Sequence, residues 1–231
     1  MSYVFTPAPQ AQLDVTGSQD KFPVRRVYCI GKNYLAHIHE MGSDERDPPV
    51  IFQKPADAVV PNGGEIAYPI FTKNYHYEGE LVVALKSGGY NIAVEDAASH
   101  IYGYAVGLDM TRRDHQAAAM AKGMPWEVTK AFDQSAPIGP VTPVETSGVL
   151  EGGRLTLKVN GEVKQDADIS LMIWKVAEII AKISEQHRLM PGDIIMTGTP
   201  AGVGAVTSGD VLEVAMEGVQ PLRVTIGGPA A

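Results

Sequence analysis

Apolar positions along this chain recur at two spacings. Leu155, Leu157 and Val159 alternate with polar neighbours, the period of a strand with one wet face, and Asn160-Gly161 before Val163 marks a type I′ hairpin. Apolar runs over residues 24–30, 50–54, 75–85, 101–110, 194–197, 211–214 and 222–226 predict further strands. Residues 126–132 read the same way, with Lys130 inside the run. Helical spacing is clearest over 171–185, where Ile173, Val176, Ala177, Ile180 and Ile183 share a stripe opposite Lys175, Glu178, Lys182 and Glu185. Shorter helices are expected over 34–41, with Asn33 as N-cap, over 94–100, and over 111–122, stopped by Gly123. Short strands outnumber helices, which predicts a strand-dominated α+β fold. Residues 1–23 show no sustained period and are expected to be a loosely structured lead to a single domain over 24–231.

Composition narrows the function. The 231 residues suffice for a sizeable core, and 45% hydrophobic content is ordinary for a globular protein. A formal charge of −8 argues against a nucleic-acid partner. Cys29 is the single cysteine, so a Cys-based zinc site is excluded and a reducing, cytoplasmic setting is expected; its apolar neighbours predict burial. The first 25 residues lack the apolar core of a signal peptide, and the apolar stretch 171–183 is interrupted by Lys175, Glu178 and Lys182, so neither export nor a membrane span is expected.

The residues most suggestive of chemistry are carboxylates. Glu78 and Glu80 flank Gly79 in a predicted strand, so both project from one face. Val82 and Ala84 continue that face, which therefore heads into a core. Asp109 ends the next apolar run and reaches the same place if the two strands are neighbours. Two carboxylates this close repel unless protons or a cation lie between them. Three of them make a hard-oxygen site suited to Mg²⁺, Mn²⁺ or Ca²⁺. A solvated acidic face is the plainer reading of the E-x-E alone.

Other groups have two readings each. His37 and Glu40, spaced i,i+3, form either a water-activating pair or a surface pair. Arg113 and Gln116 share a helix face; a guanidinium there suits a carboxylate substrate, or is plain surface polarity. Lys130 is either an edge residue or an inward donor to a developing oxyanion. The loop Gly198-Thr199-Pro200-Ala201-Gly202-Val203-Gly204 lacks Walker and dinucleotide signatures; it is either a turn or a place where backbone N–H groups and Thr199 approach a small anion.

Taken in order, these pieces form a compound pattern. G-x-N-Y-x-x-H-x-x-E spans Gly31 to Glu40, K-P is Lys54-Pro55, E-x-E is Glu78 to Glu80, and L-D-M-T-x-R-D-x-Q spans Leu108 to Gln116. Lys130 and G-D-I-I-x-T-G-T-P-x-G-V-G, Gly192 to Gly204, complete it. The pattern resembles the fumarylacetoacetate hydrolase family over nearly the whole chain from Val24, and within it the single-domain acylpyruvate hydrolases; Phe22 to Tyr28 together with Lys54 to Pro61 resembles the fumarylpyruvate hydrolases. The resemblance implies a mixed β-roll or sandwich with peripheral helices, usually a homodimer. It implies Mg²⁺ or Mn²⁺ held by Glu78, Glu80 and Asp109, His37 and Glu40 as the water-activating dyad, and Gln116, Lys130, Thr199 and Arg113 around the dioxo end of a small-molecule substrate. The implied reaction is hydrolysis of a C–C bond in a 2,4-dioxo acid, with fumarate and pyruvate formed from fumarylpyruvate in gentisate breakdown. Oxaloacetate decarboxylation, or isomerisation or decarboxylation of a hydroxymuconate-type diacid, is the alternative on the same metal site.

Overall fold

The computed structural model describes residues 2–34 and 47–230, and the helix expected over 34–41 falls largely outside them. Two large sheets share one core. The eight-stranded mixed sheet runs Val50–Lys54, Arg26–Gly31, Asp193–Met196, Gly79–Leu85, Ile101–Leu108, Ala136–Ile138, Val59–Pro61, with Thr142–Pro143 also paired to Ile101–Leu108. The five-stranded sheet runs Glu162–Asp168, Arg154–Val159, Val211–Met216, Val219–Pro229, Gly64–Tyr68. Strands dominate, as the short apolar runs predict.

Gly79–Leu85 is buried at every position because each of its faces meets a core. Leu81, Val83 and Leu85 pack with Leu155, Leu157, Val214 and Val224 of the second sheet and with Ile179, Ile180 and Ile183 of the helix Val176–Gln186. Val82 and Ala84 point the other way, onto Leu13, Phe22 and Val24. Full burial of each such aliphatic side chain contributes about 1.5–3 kcal/mol.

Local expectations fail where tertiary contacts decide. The lead contains a hairpin, Gln12–Asp14 with Lys21–Pro23, that lays Leu13 and Phe22 on the central sheet. Its strands are three residues long, too short for a period to show. Residues 126–132 form no strand. Glu127–Lys130 is one helical turn, begun where the Trp126 carbonyl accepts from Thr129 N and Lys130 N, both at 2.9 Å, and from Thr129 Oγ1 at 2.7 Å. These bonds override the β propensity of Val128 and Thr129. The helix expected from residue 171 begins at Val176, because the Asn33 side chain accepts from Trp174 N at 2.8 Å and holds the preceding segment extended. Val94–His100 is a 3₁₀ segment.

Candidate active site

The predicted strand 75–85 is two strands, and the break makes the site. Tyr75–Tyr77 lies in a small sheet between Thr111–Arg112 and Gly204–Ala205, while Gly79–Leu85 enters the central sheet. Glu78 sits at the crossing. Its carbonyl accepts from Asp109 N at 2.8 Å, and Gly79 lies opposite Leu108, so the ends of neighbouring strands bring Asp109 beside both glutamates. The three carboxylates offer oxygens within 4.8 Å of one another, and each residue is at most 6% exposed. The buried arrangement rules out the solvated-face reading.

Among the described residues, three cations face these acids. Lys130, only 2% exposed, donates to Glu78 Oε2 at 2.7 Å, Asp109 Oδ2 at 2.9 Å and Thr111 Oγ1 at 2.7 Å, so the edge reading of this lysine fails. Lys54 Nζ lies 2.8 Å from Asp109 Oδ1 as an ion pair outside hydrogen-bond angles, and it also donates to the carbonyls of Met110, at 3.3 Å, and Lys130. Arg113 reaches Glu78 Oε1 and Gln116 Oε1, and its Nε is 3.4 Å from His76 Nδ1. The other His76 nitrogen meets Asn74 Oδ1 at 2.8 Å, which fits the tautomer protonated on Nε2. Burial, then Arg113, brings His76 down to about 4, so it stays neutral.

The two glutamates titrate in opposite directions. Burial pushes Glu78 up, but Lys130 and Arg113 outweigh it and bring its carboxyl to about 2. Among the described residues, Glu80 accepts from Gly198 N at 2.9 Å. Burial, then Asp109, then Glu78, holds its carboxyl well above the usual range. A buried carboxylate facing two others is the environment a dication relieves.

The glycine-rich loop closes the floor. Gly198 has φ +97°, and an added Cβ would lie 2.7 Å from the Asn33 Cβ, so only glycine lets the loop pass. Asn33 donates to Thr197 O at 2.8 Å and Trp174 O at 3.0 Å, fixing the loop from outside. The anion met by the loop's first N–H is Glu80. Thr199 Oγ1 donates to Gly79 O at 2.9 Å and accepts from Gln165 Nε2 at 2.8 Å. Gln165 also accepts from Gly79 N at 2.9 Å and donates to Pro200 O at 2.9 Å.

One cavity gathers Glu78, Glu80, Asp109, Arg113, Gln116, Lys130 and Thr199, seven of the nine expected site residues. His37 and Glu40 lie outside the described residues. The cavity's other wall is Ile30, Gly31, Phe52, Met120 and Trp126, with Lys32 also lining it. Sequence reasoning gave Lys54, Gln165 and His76 no role at the site. Lys54 was within reach, since Lys-Pro is part of the compound pattern. A single Gln in an alternating hairpin gives no such signal. Arg25 and Arg26 are engaged away from the cavity, Arg25 with Asp193 at 2.9 Å and Arg26 with the Tyr28 hydroxyl at 3.2 Å.

The chain also matches known proteins in sequence and fold. Residues 26–227 match the family model described as fumarylacetoacetate (FAA) hydrolase C-terminal. A fumarylpyruvate hydrolase from Ralstonia sp is 44% identical over 176 residues, 76% of this chain and 91% of the relative. The mitochondrial oxaloacetate tautomerase of Rattus norvegicus is 39% identical over 202 residues, 87% of this chain and 91% of the relative. Among solved structures, fumarylpyruvate hydrolase from Pseudomonas aeruginosa, in complex with Mn²⁺ and pyruvate, superposes with a TM-score of 0.95 at 50% identity, covering 98% of this chain and 99% of that one.

Proposed function

This chain belongs to the fumarylacetoacetate hydrolase family, and from that premise we propose that it hydrolyses a 2,4-dioxo acid, with fumarylpyruvate cut to fumarate and pyruvate. The observation that carries the proposal is the buried cluster of Glu78, Glu80 and Asp109, with oxygens within 4.8 Å of one another. These all-oxygen donors fit Mg²⁺ or Mn²⁺. In the cluster, three carboxylates meet three cations, Lys54, Lys130 and Arg113. A dication would therefore leave net positive charge among the described residues of the cluster, which suits the carboxylate of the keto-acid end.

When bound, the dication would polarise the 2-oxo acid end and favour negative charge there. The remaining work falls to side chains. His37, oriented by Glu40, would take a proton from water as its oxygen attacks C4. The C3–C4 bond then breaks, its electron pair passes to the pyruvate enolate, and C3 is reprotonated to give pyruvate. Gln116 and Arg113 line the cavity together, and their mutual hydrogen bond orients both toward it. All three Lys130 protons are occupied by Glu78, Asp109 and Thr111, so Lys130 fixes the acids and would reach a substrate oxygen only by exchanging one contact. Thr199 is likewise committed to Gly79 and Gln165; its role in this reading is to hold the loop against the metal-ligand strand.

With Mn²⁺ present, fumarylpyruvate should lose its enol absorbance and release one pyruvate per turnover; no consumption would defeat the reading. Replacing His37 by Ala should abolish hydrolysis with Mn²⁺ affinity nearly intact, and unchanged turnover would remove His37 from the mechanism. A homodimer, a cytoplasmic location and a place in gentisate breakdown accompany the proposal; light scattering on the purified protein tests the first. The second reading is enol chemistry on oxaloacetate, favoured by the 39% identity to the rat tautomerase. It does not need water activation, and assays of oxaloacetate tautomerisation and decarboxylation separate it from hydrolysis.

A further inference from the structure

We infer that Trp126 is the specificity-determining residue for the acyl half of the substrate, and that it selects a flat, conjugated chain. The inference rests on the hydrolase reading above and extends it to the substrate's other end.

The cavity is divided by chemistry. Its acids and cations gather around Glu78, Glu80 and Asp109, and this is the part that can hold a keto acid. A 2,4-dioxo acid held there by its keto-acid end extends its acyl chain toward the rest of the lining. The uncharged lining available is Ile30, Gly31, Phe52, Met120 and Trp126.

Trp126 is the largest side chain in that wall, and Phe52 and Gly31 pack against its ring. Its ring stands edge-on to Phe52, with centroids 5.5 Å apart at 62°. A Cβ added at Gly31 would lie 3.2 Å from Trp126 Cζ3, so glycine at 31 leaves the indole its place. Phe52 in turn lies 5.4 Å from Lys130 Nζ, so the aromatic pair borders the charged floor directly. A planar enoyl group leaving the floor can stack on an aromatic face, whereas a saturated, puckered chain loses that overlap. Pockets of this kind discriminate by about 10-fold or more for a small change in an apolar group.

The Trp126 carbonyl also starts the turn that carries Lys130, so a general loss of activity would not distinguish selectivity from scaffolding. The decisive quantity is a ratio. Fumarylpyruvate and succinylpyruvate have the same length and carboxylates and differ by one double bond. Their kcat/KM ratio should fall about 10-fold in W126L relative to the wild type, while W126F, which keeps an aromatic face, stays within about 3-fold. W126M, flexible and non-aromatic, serves as the second variant should W126L not fold, with the same fall expected. An unchanged ratio in the non-aromatic variant, whatever its absolute rate, overturns the inference. A wild type that hydrolyses neither acylpyruvate defeats the hydrolase reading instead.

Discussion

Two sets of ion pairs in this molecule share their chemistry and differ in their surroundings. Across the hairpin of the five-stranded sheet, Arg154 Nε donates to Asp166 Oδ1 at 2.7 Å, with both side chains exposed. At the cavity floor, Lys130 and Lys54 meet Asp109 at 2.9 and 2.8 Å with all three side chains at most 2% exposed. The exposed pair is screened by water and salt and stabilises the fold little. The buried set cannot lose a member without stranding a charge in a poorly solvated place. Buried ions are a poor way to hold a fold together, so their presence here marks a site where charge is required by chemistry.

That contrast can be broken at several points. The largest effect is expected from D109N, which leaves Lys54 and Lys130 facing a neutral amide. Loss of one partner of a buried pair costs about 3–5 kcal/mol, read by urea unfolding, and Mn²⁺ binding should vanish with it. Wild-type stability in D109N would mean that the cluster is better solvated than its burial indicates. Next in size is metal itself. Mn²⁺ at about 100 times its Kd should stabilise the EDTA-treated protein by about 2.7 kcal/mol, seen as a rise in Tm, and D109N should show no rise.

Acidity sharpens the comparison further. Burial, Asp109 and Glu78 raise Glu80, so the metal-free native state holds a proton there that the unfolded chain releases near pH 4.3. Its contribution to stability therefore falls as pH rises from that value through the raised native one. Glu78 behaves oppositely: Lys130 and Arg113 overcome burial and hold it at about 2, so its contribution is present above the usual carboxylate range and lost as pH falls toward about 2. Mn²⁺ must displace the Glu80 proton, so affinity should rise with pH and binding should release protons. Calorimetry in buffers of different ionisation enthalpy checks this, and a pH-independent affinity would refute it. The smallest effect is expected at the surface, where D166A should leave Tm indistinguishable from the wild type.

The carboxylates were legible in the sequence because a strand has period two and because apolar Val82 and Ala84 continue the face of Glu80. Sequence alone did not show the interruption at Glu78, since Glu78 and Glu80 also fit the polar positions of one continuous alternating strand, while the main chain there leaves one sheet for another. Lys130 was misplaced on a strand for a related reason: Val128 and Thr129 favour strands locally, while the bonds gathered by the Trp126 carbonyl are invisible before folding. Gln165 was missed because its hairpin alternates like any half-exposed one. Its partners Gly79 and Thr199 lie 86 and 34 residues away, and no local pattern encodes that meeting.

Asn33 has a consequence for the order of assembly. It emerges early in synthesis, yet the oxygens its amide requires, on Trp174 and Thr197, lie 141 and 164 residues later. Until those residues are made, the Asn33 amide lacks both of these acceptors and Glu80 lacks the Gly198 N–H that meets it, so the early half of the site is completed only by the late half of the chain.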